Sequence, residues 1–206
     1  MQLLFDLTER KPEYKRLHEQ VKQHKDDIYS KICQSLVRDD NEFNVLCHGD
    51  VWSNNIMFKY DEEDNVIDGL IIDFQTASWN TPGVDVAFVL FTSSHESLTE
   101  SVWKDLIKYY LDKLVNVLEK LRYAGRIPTM ADLQRQIYMK RFYLALFGIF
   151  TYGSRHTDST NGEADQRYMS PTKENCQFRV NALLNPRCQS GLEFLLNYFE
   201  KHGHFE

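Results

Sequence analysis

The segment from Phe43 to Asp73 limits the fold more than any other part of the chain. Phe43 to Cys47 is a short apolar run, Ile56-Met57-Phe58 is a second, and Val66 to Ile72 is a third. Runs this short fit helix or strand by period alone, but the Gly and Asn that bound them favour strand, and the first two read as buried strands. Between those two lies a polar loop, His48 to Asn55, which offers an imidazole, a carboxylate and two amides. The acidic turn Tyr60-Asp61-Glu62-Glu63-Asp64-Asn65 joins the second run to the third as a hairpin. That topology brings the loop after His48 and the strand-terminal Asp73 to the same end of a small sheet.

Such an arrangement suits phosphoryl transfer. Asp50 and Asn55 stand five residues apart, the spacing of the acid and the amide in a protein-kinase catalytic loop. There the acid accepts the proton of the attacking hydroxyl and the amide holds magnesium, while a second Asp on a following strand holds magnesium against the nucleotide phosphates. Magnesium prefers oxygen ligands and takes only one or two of them from carboxylates. Asp50, Asn55 and Asp73 meet that demand, whereas pairs of cysteine or histidine would not. Alone, His-Gly-Asp is ordinary turn chemistry, and an Asp that ends a strand can simply cap a helix. It is the combination that points to a site.

His48-Gly49-Asp50, then Asn55, then Ile72-Asp73-Phe74-Gln75 closely resembles the choline kinase and aminoglycoside phosphotransferase superfamily. Trp52, the Asn54-Asn55 pair and Asp73-Phe74-Gln75 look most like its ecdysteroid kinase-like branch. The resemblance implies an ATP- and magnesium-dependent kinase acting on a hydroxyl of a small molecule. It also implies an α+β, mainly α fold: a protein-kinase-like C-terminal lobe in which a small β-hairpin carries the catalytic loop among several packed helices. Asp50 would be the catalytic base, Asn55 and Asp73 the ligands of magnesium and through it of ATP, and His48 a structural anchor of the loop. Gly83-Val84-Asp85-Val86-Ala87 resembles a later element of the family, a helix start whose Asp85 fixes the loop. Beside that, an acid near a helix N-terminus is favoured by the helix dipole. These core motifs lie within residues 43–91, and the helical remainder matches only in general character.

Kinase-like folds set a separate lobe ahead of the catalytic loop, with a glycine-rich cover and a strand lysine for the phosphates. No glycine precedes Gly49 here, and the residues before Asp50 read as helical. Residues 1–206 are therefore expected to form one C-terminal lobe, with the N-terminal nucleotide-binding lobe absent. Two readings follow: a phosphotransferase incomplete as an isolated chain, or a catalytically inactive kinase-like domain that binds a small molecule or a partner protein. A metal-dependent phosphohydrolase is a third, although two-metal hydrolases usually need more ligands than this trio.

Composition excludes several other classes. The 206 residues carry a formal net charge of −6, which argues against a general nucleic-acid or anionic-membrane surface. No apolar run is long enough to cross a bilayer, and Met1 to Phe5 lacks the pattern of a signal peptide. Cys33, Cys47, Cys176 and Cys188 show no metal-binding spacing and read as reduced thiols of a cytoplasmic protein. Steroid alcohols, choline-like amines and other hydroxylated metabolites all fit as the acceptor, and oligomeric state is not readable.

The remaining pattern predicts helices. One helical stretch fills the first forty residues. Another starts near Gly83, and a capping box at Ser97-Leu98-Thr99-Glu100 opens a helix to about Tyr123, with Leu106, Tyr109, Tyr110, Leu114, Val117 and Leu121 among its apolar face. Thr129 caps a helix running through Leu133 to Phe150, whose apolar end should be buried. Phe74 to Pro82 is expected to be irregular, and Thr151 to Cys176 a long loop, a lid or an acceptor-contacting segment. Helix resumes from Asn175 with a break at Pro186, and His202-Gly203-His204 reads as a frayed end rather than a metal site.

Overall fold

The computed structural model describes residues 2–93, 99–154 and 172–206. The chain divides into two compact units: residues 1–35, 94–96 and 141–206, and residues 36–93 and 97–140.

The second unit carries the strands. β1 (Val45–Cys47) pairs antiparallel with β4 (Ser78–Asn80), matching Leu46 to Trp79. β2 (Ile56–Tyr60) pairs antiparallel with β3 (Val66–Ile71), matching Ile56 to Ile71 and shifting register between Lys59 and Tyr60. The predicted hairpin is therefore present, but it forms a sheet of its own, and the first run pairs elsewhere. β4 corrects the expectation of an irregular segment from Phe74 to Pro82. A single 3-10 turn, Phe74–Thr76, precedes it.

Burial also departs from the sequence pattern. Cys47 is fully buried, but Leu46 beside it is 67% exposed, as alternation along a one-sided strand requires. On the hairpin Met57, Phe58, Tyr60, Val66, Ile67 and Leu70 are all exposed. Its apolar character therefore does not reflect burial within its unit.

Helices supply the core of this unit. α4 (Gly83–Thr92) buries Val84, Ala87, Phe88 and Phe91. α5 (Glu100–Lys120) buries Trp103, Leu111 and Leu118, and the Trp103 ring meets Phe91 edge to face at 5.0 Å. The broad face expected on α5 is thus too wide: Leu106, Tyr109, Val117 and Leu121 are exposed. Thr99 caps α5, its hydroxyl accepting from Val102 N at 3.4 Å, while Ser97 and Leu98 of the predicted box lie outside the described residues. α6 (Met130–Met139) begins with a reciprocal cap between Thr129 and Asp132. It packs so closely on α4 that a Cβ on Gly83 would sit 2.8 Å from Gln136 Cβ and 3.0 Å from backbone.

The first unit is built of helices joined by turns, with no strand among its described residues. It comprises α1 (Gln2–Glu9), α2 (Lys15–Gln23) and most of α3 (Ile28–Leu36), then α7 (Arg141–Ser154), α8 (Lys173–Leu183) and α9 (Pro186–Lys201). The helix expected from Leu133 to Phe150 is two helices, broken at Lys140. The Lys140 amide turns back to Ile137 O at 3.1 Å, a tightened last turn. In α7, Phe142, Leu144, Ala145 and Ile149 are buried as expected. The predicted loop after Thr151 is helical to Ser154 and again from Lys173, and residues 155–171 lie outside the described residues. The C-terminus is not frayed. Phe205 is fully buried, and a His24 Nε2–H donates to its carbonyl at 2.9 Å. Burial pushes His204 down to about 3, with smaller contributions from His202 and Arg141. Among the described residues no helix is long and apolar enough to cross a membrane.

Candidate active site

The polar loop after β1 is held from outside by one carboxylate. Asp85, in the first turn of α4, accepts from His48 N at 2.7 Å through Oδ2 and from Gly49 N at 2.8 Å through Oδ1. Gly49 makes that approach possible. Its φ is +82°, and a Cβ there would lie 2.6 Å from Thr76 O. Thr76 returns the contact by donating its hydroxyl to His48 O at 3.0 Å.

His48 then ties the loop to the end of β3. Its Nε2–H donates to Ile72 O at 2.7 Å, and its Nδ1 accepts from Asp50 N at 3.2 Å. Those two bonds define one tautomer, with the proton on Nε2. The ring also meets Phe74 edge to face at 4.7 Å.

Asp50 and Asn55 face each other across the loop. The Asn55 amide donates from Nδ2 to Asp50 O at 2.8 Å and to Asp50 Oδ2 at 3.1 Å. Asn55 ends a 3-10 turn, Ser53–Asn55, is buried, and accepts from Ile72 N at 2.9 Å through its own carbonyl. Its Oδ1 has no hydrogen-bond partner among the described residues. Burial raises the Asp50 carboxyl above its ordinary value; the Asn55 bond and His48 oppose this, and the charge of Asp73 adds to it. Asp73 is thus close enough to be felt by Asp50.

Asp73 occupies the left-handed region, at φ 66° and ψ 64°. Asp tolerates it better than most residues, yet it costs on the order of 1–2 kcal/mol. Its carboxylate is exposed and, among the described residues, accepts only from Gln75 Nε2 at 3.3 Å through Oδ2. Each of Asn55 and Asp73 therefore presents an oxygen without a partner among the described residues. No group of three His, Cys, Asp or Glu side chains poised for a metal occurs among the described residues. One carboxylate and one amide suit an ion that keeps water and phosphate as its other ligands, and do not suit one held wholly by protein.

Of the five residues singled out from sequence, His48, Asp50, Asn55 and Asp85 thus share one network of hydrogen bonds, and Asp73 adjoins it through its charge on Asp50. Phe74 and Gln75 entered the sequence reading within the motif Ile72-Asp73-Phe74-Gln75 but without a role of their own, and Thr76 did not enter it.

Against known families, the model of the ecdysteroid kinase-like family matches residues 1–123. No curated protein and no solved structure matches the chain.

Proposed function

The chain belongs to the ecdysteroid kinase-like family, and on that footing we propose that it serves an ATP- and magnesium-dependent phosphotransferase acting on a hydroxyl of a small molecule. Asp50 accepts the hydroxyl proton. Its raised affinity for a proton suits a base that must take one up near neutral pH. Asn55 turns its amide toward Asp50 and orients that carboxylate, which leaves Oδ1 for a cation. Asn55 and Asp73 would hold magnesium, which when bound neutralises charge on the transferring phosphate. His48 and Asp85 hold these groups in register through backbone bonds and touch no reacting atom. What supports the reading most is that Asn55 hydrogen-bonds the Asp50 carboxylate while Asp73, from a second stretch of chain, lies close enough for its charge to act on Asp50, with an oxygen of Asn55 and one of Asp73 unengaged among the described residues.

Calorimetric titration with ATP, with and without magnesium, tests it. Binding should require magnesium, Asp73→Asn should weaken it at least about tenfold, and Asp50→Asn should leave it nearly intact while abolishing transfer to an acceptor. Binding indifferent to magnesium would withdraw the roles of Asn55 and Asp73, and unchanged turnover in Asp50→Asn would withdraw that of Asp50. An absence of nucleotide binding would favour the non-catalytic, binding role.

A further inference from the structure

We propose that the cavity between β1, α4 and α5 binds a small neutral apolar molecule carrying one hydroxyl or carbonyl oxygen, and that the occupant stiffens the His48–Asp50 loop. The cavity measures about 450 Å³, within the range of small-molecule sites and too small for a macromolecular element. Val86, Val89 and Leu90 of α4 and Leu106 of α5 form its walls, and Ile71 closes one side.

Charge decides the class of occupant. No lysine or arginine lines the cavity among the described residues, so nothing there would balance an anion. The one carboxylate among its described lining residues, Asp85, has each oxygen already accepting from a loop amide, so a bound cation would compete with the bonds that hold the loop. A neutral body against aliphatic walls is what remains. Tyr110 supplies the polar handle. Its side chain lines the same cavity, and its hydroxyl has no hydrogen-bond partner among the described residues. Burial, with Cys47 and Asp85 adding to it, pushes that phenol up to about 12, so it stays a neutral donor.

Asp50, Asn55 and Asp73 do not line this cavity, whereas His48 and Asp85 do. The occupant therefore bears on the residues that anchor the loop and not on those assigned to phosphate chemistry. A void leaves its walls without contacts on one side, and filling it restricts them. The site goes beyond the phosphotransfer reading and can fail or stand independently of it.

The test uses 2-naphthol, a neutral two-ring body with one hydroxyl, titrated into the full chain by fluorescence. Saturable one-site binding is expected. Val89→Trp and Leu106→Trp, which fill the cavity from α4 and from α5, should each weaken it at least about tenfold with the circular dichroism unchanged. Tyr110→Phe should weaken it about two- to tenfold. Saturating probe should also slow hydrogen exchange at the Gly49 amide, the bond to Asp85. Absence of saturable binding, or equal affinity in both filled variants, overturns the site; if one filled variant unfolds, the other and Tyr110→Phe decide. Unchanged Gly49 exchange with the probe bound overturns the coupling to the loop.

Discussion

Two aspartate-bearing turns, at Asp50 and at Asp61, lie only eleven residues apart in sequence and solve opposite problems. Asp61 satisfies itself. Its carboxylate accepts from Glu63 N at 3.0 Å, Asn65 N at 2.8 Å and the Asn65 side chain, all within its own turn. Those bonds, Asn65 first, pull its carboxyl below the ordinary carboxylate range. Asp50 instead sits in a loop whose backbone is held by residues far along the chain. Its carboxylate is shared with one amide and pushed the other way by burial. A carboxylate that completes its own turn is structural, and one positioned by others with its affinity for a proton raised is available for chemistry.

The largest effect should come from the support that only the first turn needs. Asp85→Ala removes the acceptor for two loop amides at once, and leaving both unpaired should cost about 3 kcal/mol or more. Urea unfolding measures this, and Asp85→Asn, which keeps one acceptor, should recover part of it. A loss below about 1 kcal/mol would mean that the loop is held some other way.

Next comes the backbone itself. Gly49→Ala forces a side chain into a positive φ and against Thr76 O at 2.6 Å, with an expected cost of about 2 kcal/mol. The second turn has its own positive φ at Asp64, 60°, but there an Asp is accommodated in the open. Thermal unfolding of Gly49→Ala, with restoration by Gly49→Asn only in part, would separate the steric contact from the backbone strain.

How much of this was legible beforehand follows the same division. That His48, Asp50 and Asn55 would sit together could be read because they share one short loop, and Asp73 and Asp85 were reached through a resemblance of motif. The Asp61 turn could be read because its partners are local. What was hidden depends on distant chain. β4 is three residues long and ordered by β1 more than thirty positions away, so Ser78-Trp79-Asn80 carries no strand pattern of its own. Phe205 is buried near His24, at the far end of the sequence, and nothing in His202-Gly203-His204 announces that. The break at Lys140 has neither glycine nor proline to mark it. The apolar hairpin residues looked buried because hydrophobicity reports a preference for cover, not where the cover comes from.

A smaller effect, with a diagnostic sign, is expected at Asp61. Its folded carboxyl binds a proton less readily than the unfolded one. The stabilisation is therefore complete above the unfolded pKa and is lost as pH falls through the folded value. Asp61→Ala should lower the unfolding midpoint modestly at neutral pH, and the gap should close in acid. A gap that persists in acid would place the contribution in packing and not in the charged hydrogen bonds.

Asp50→Asn should show the mirror image, and it is the sharpest way to break the comparison. Here the folded carboxyl holds its proton more tightly than the unfolded one, because burial penalises the charge. Below the unfolded pKa, about 3.9, both states are protonated and the residue is neutral in its effect. As pH rises, the unfolded chain ionises first, so wild-type stability falls until the folded pKa is passed. The Asn variant carries no such penalty and can still meet the Asn55 amide through its own oxygen. It should therefore unfold at a slightly higher temperature than wild type at pH 7 and at the same temperature near pH 3 (~1 unit below the unfolded value). A variant less stable than wild type at neutral pH would show that the Asn55 bond outweighs desolvation. Asp50 would then belong with Asp61, as a residue that holds a turn together.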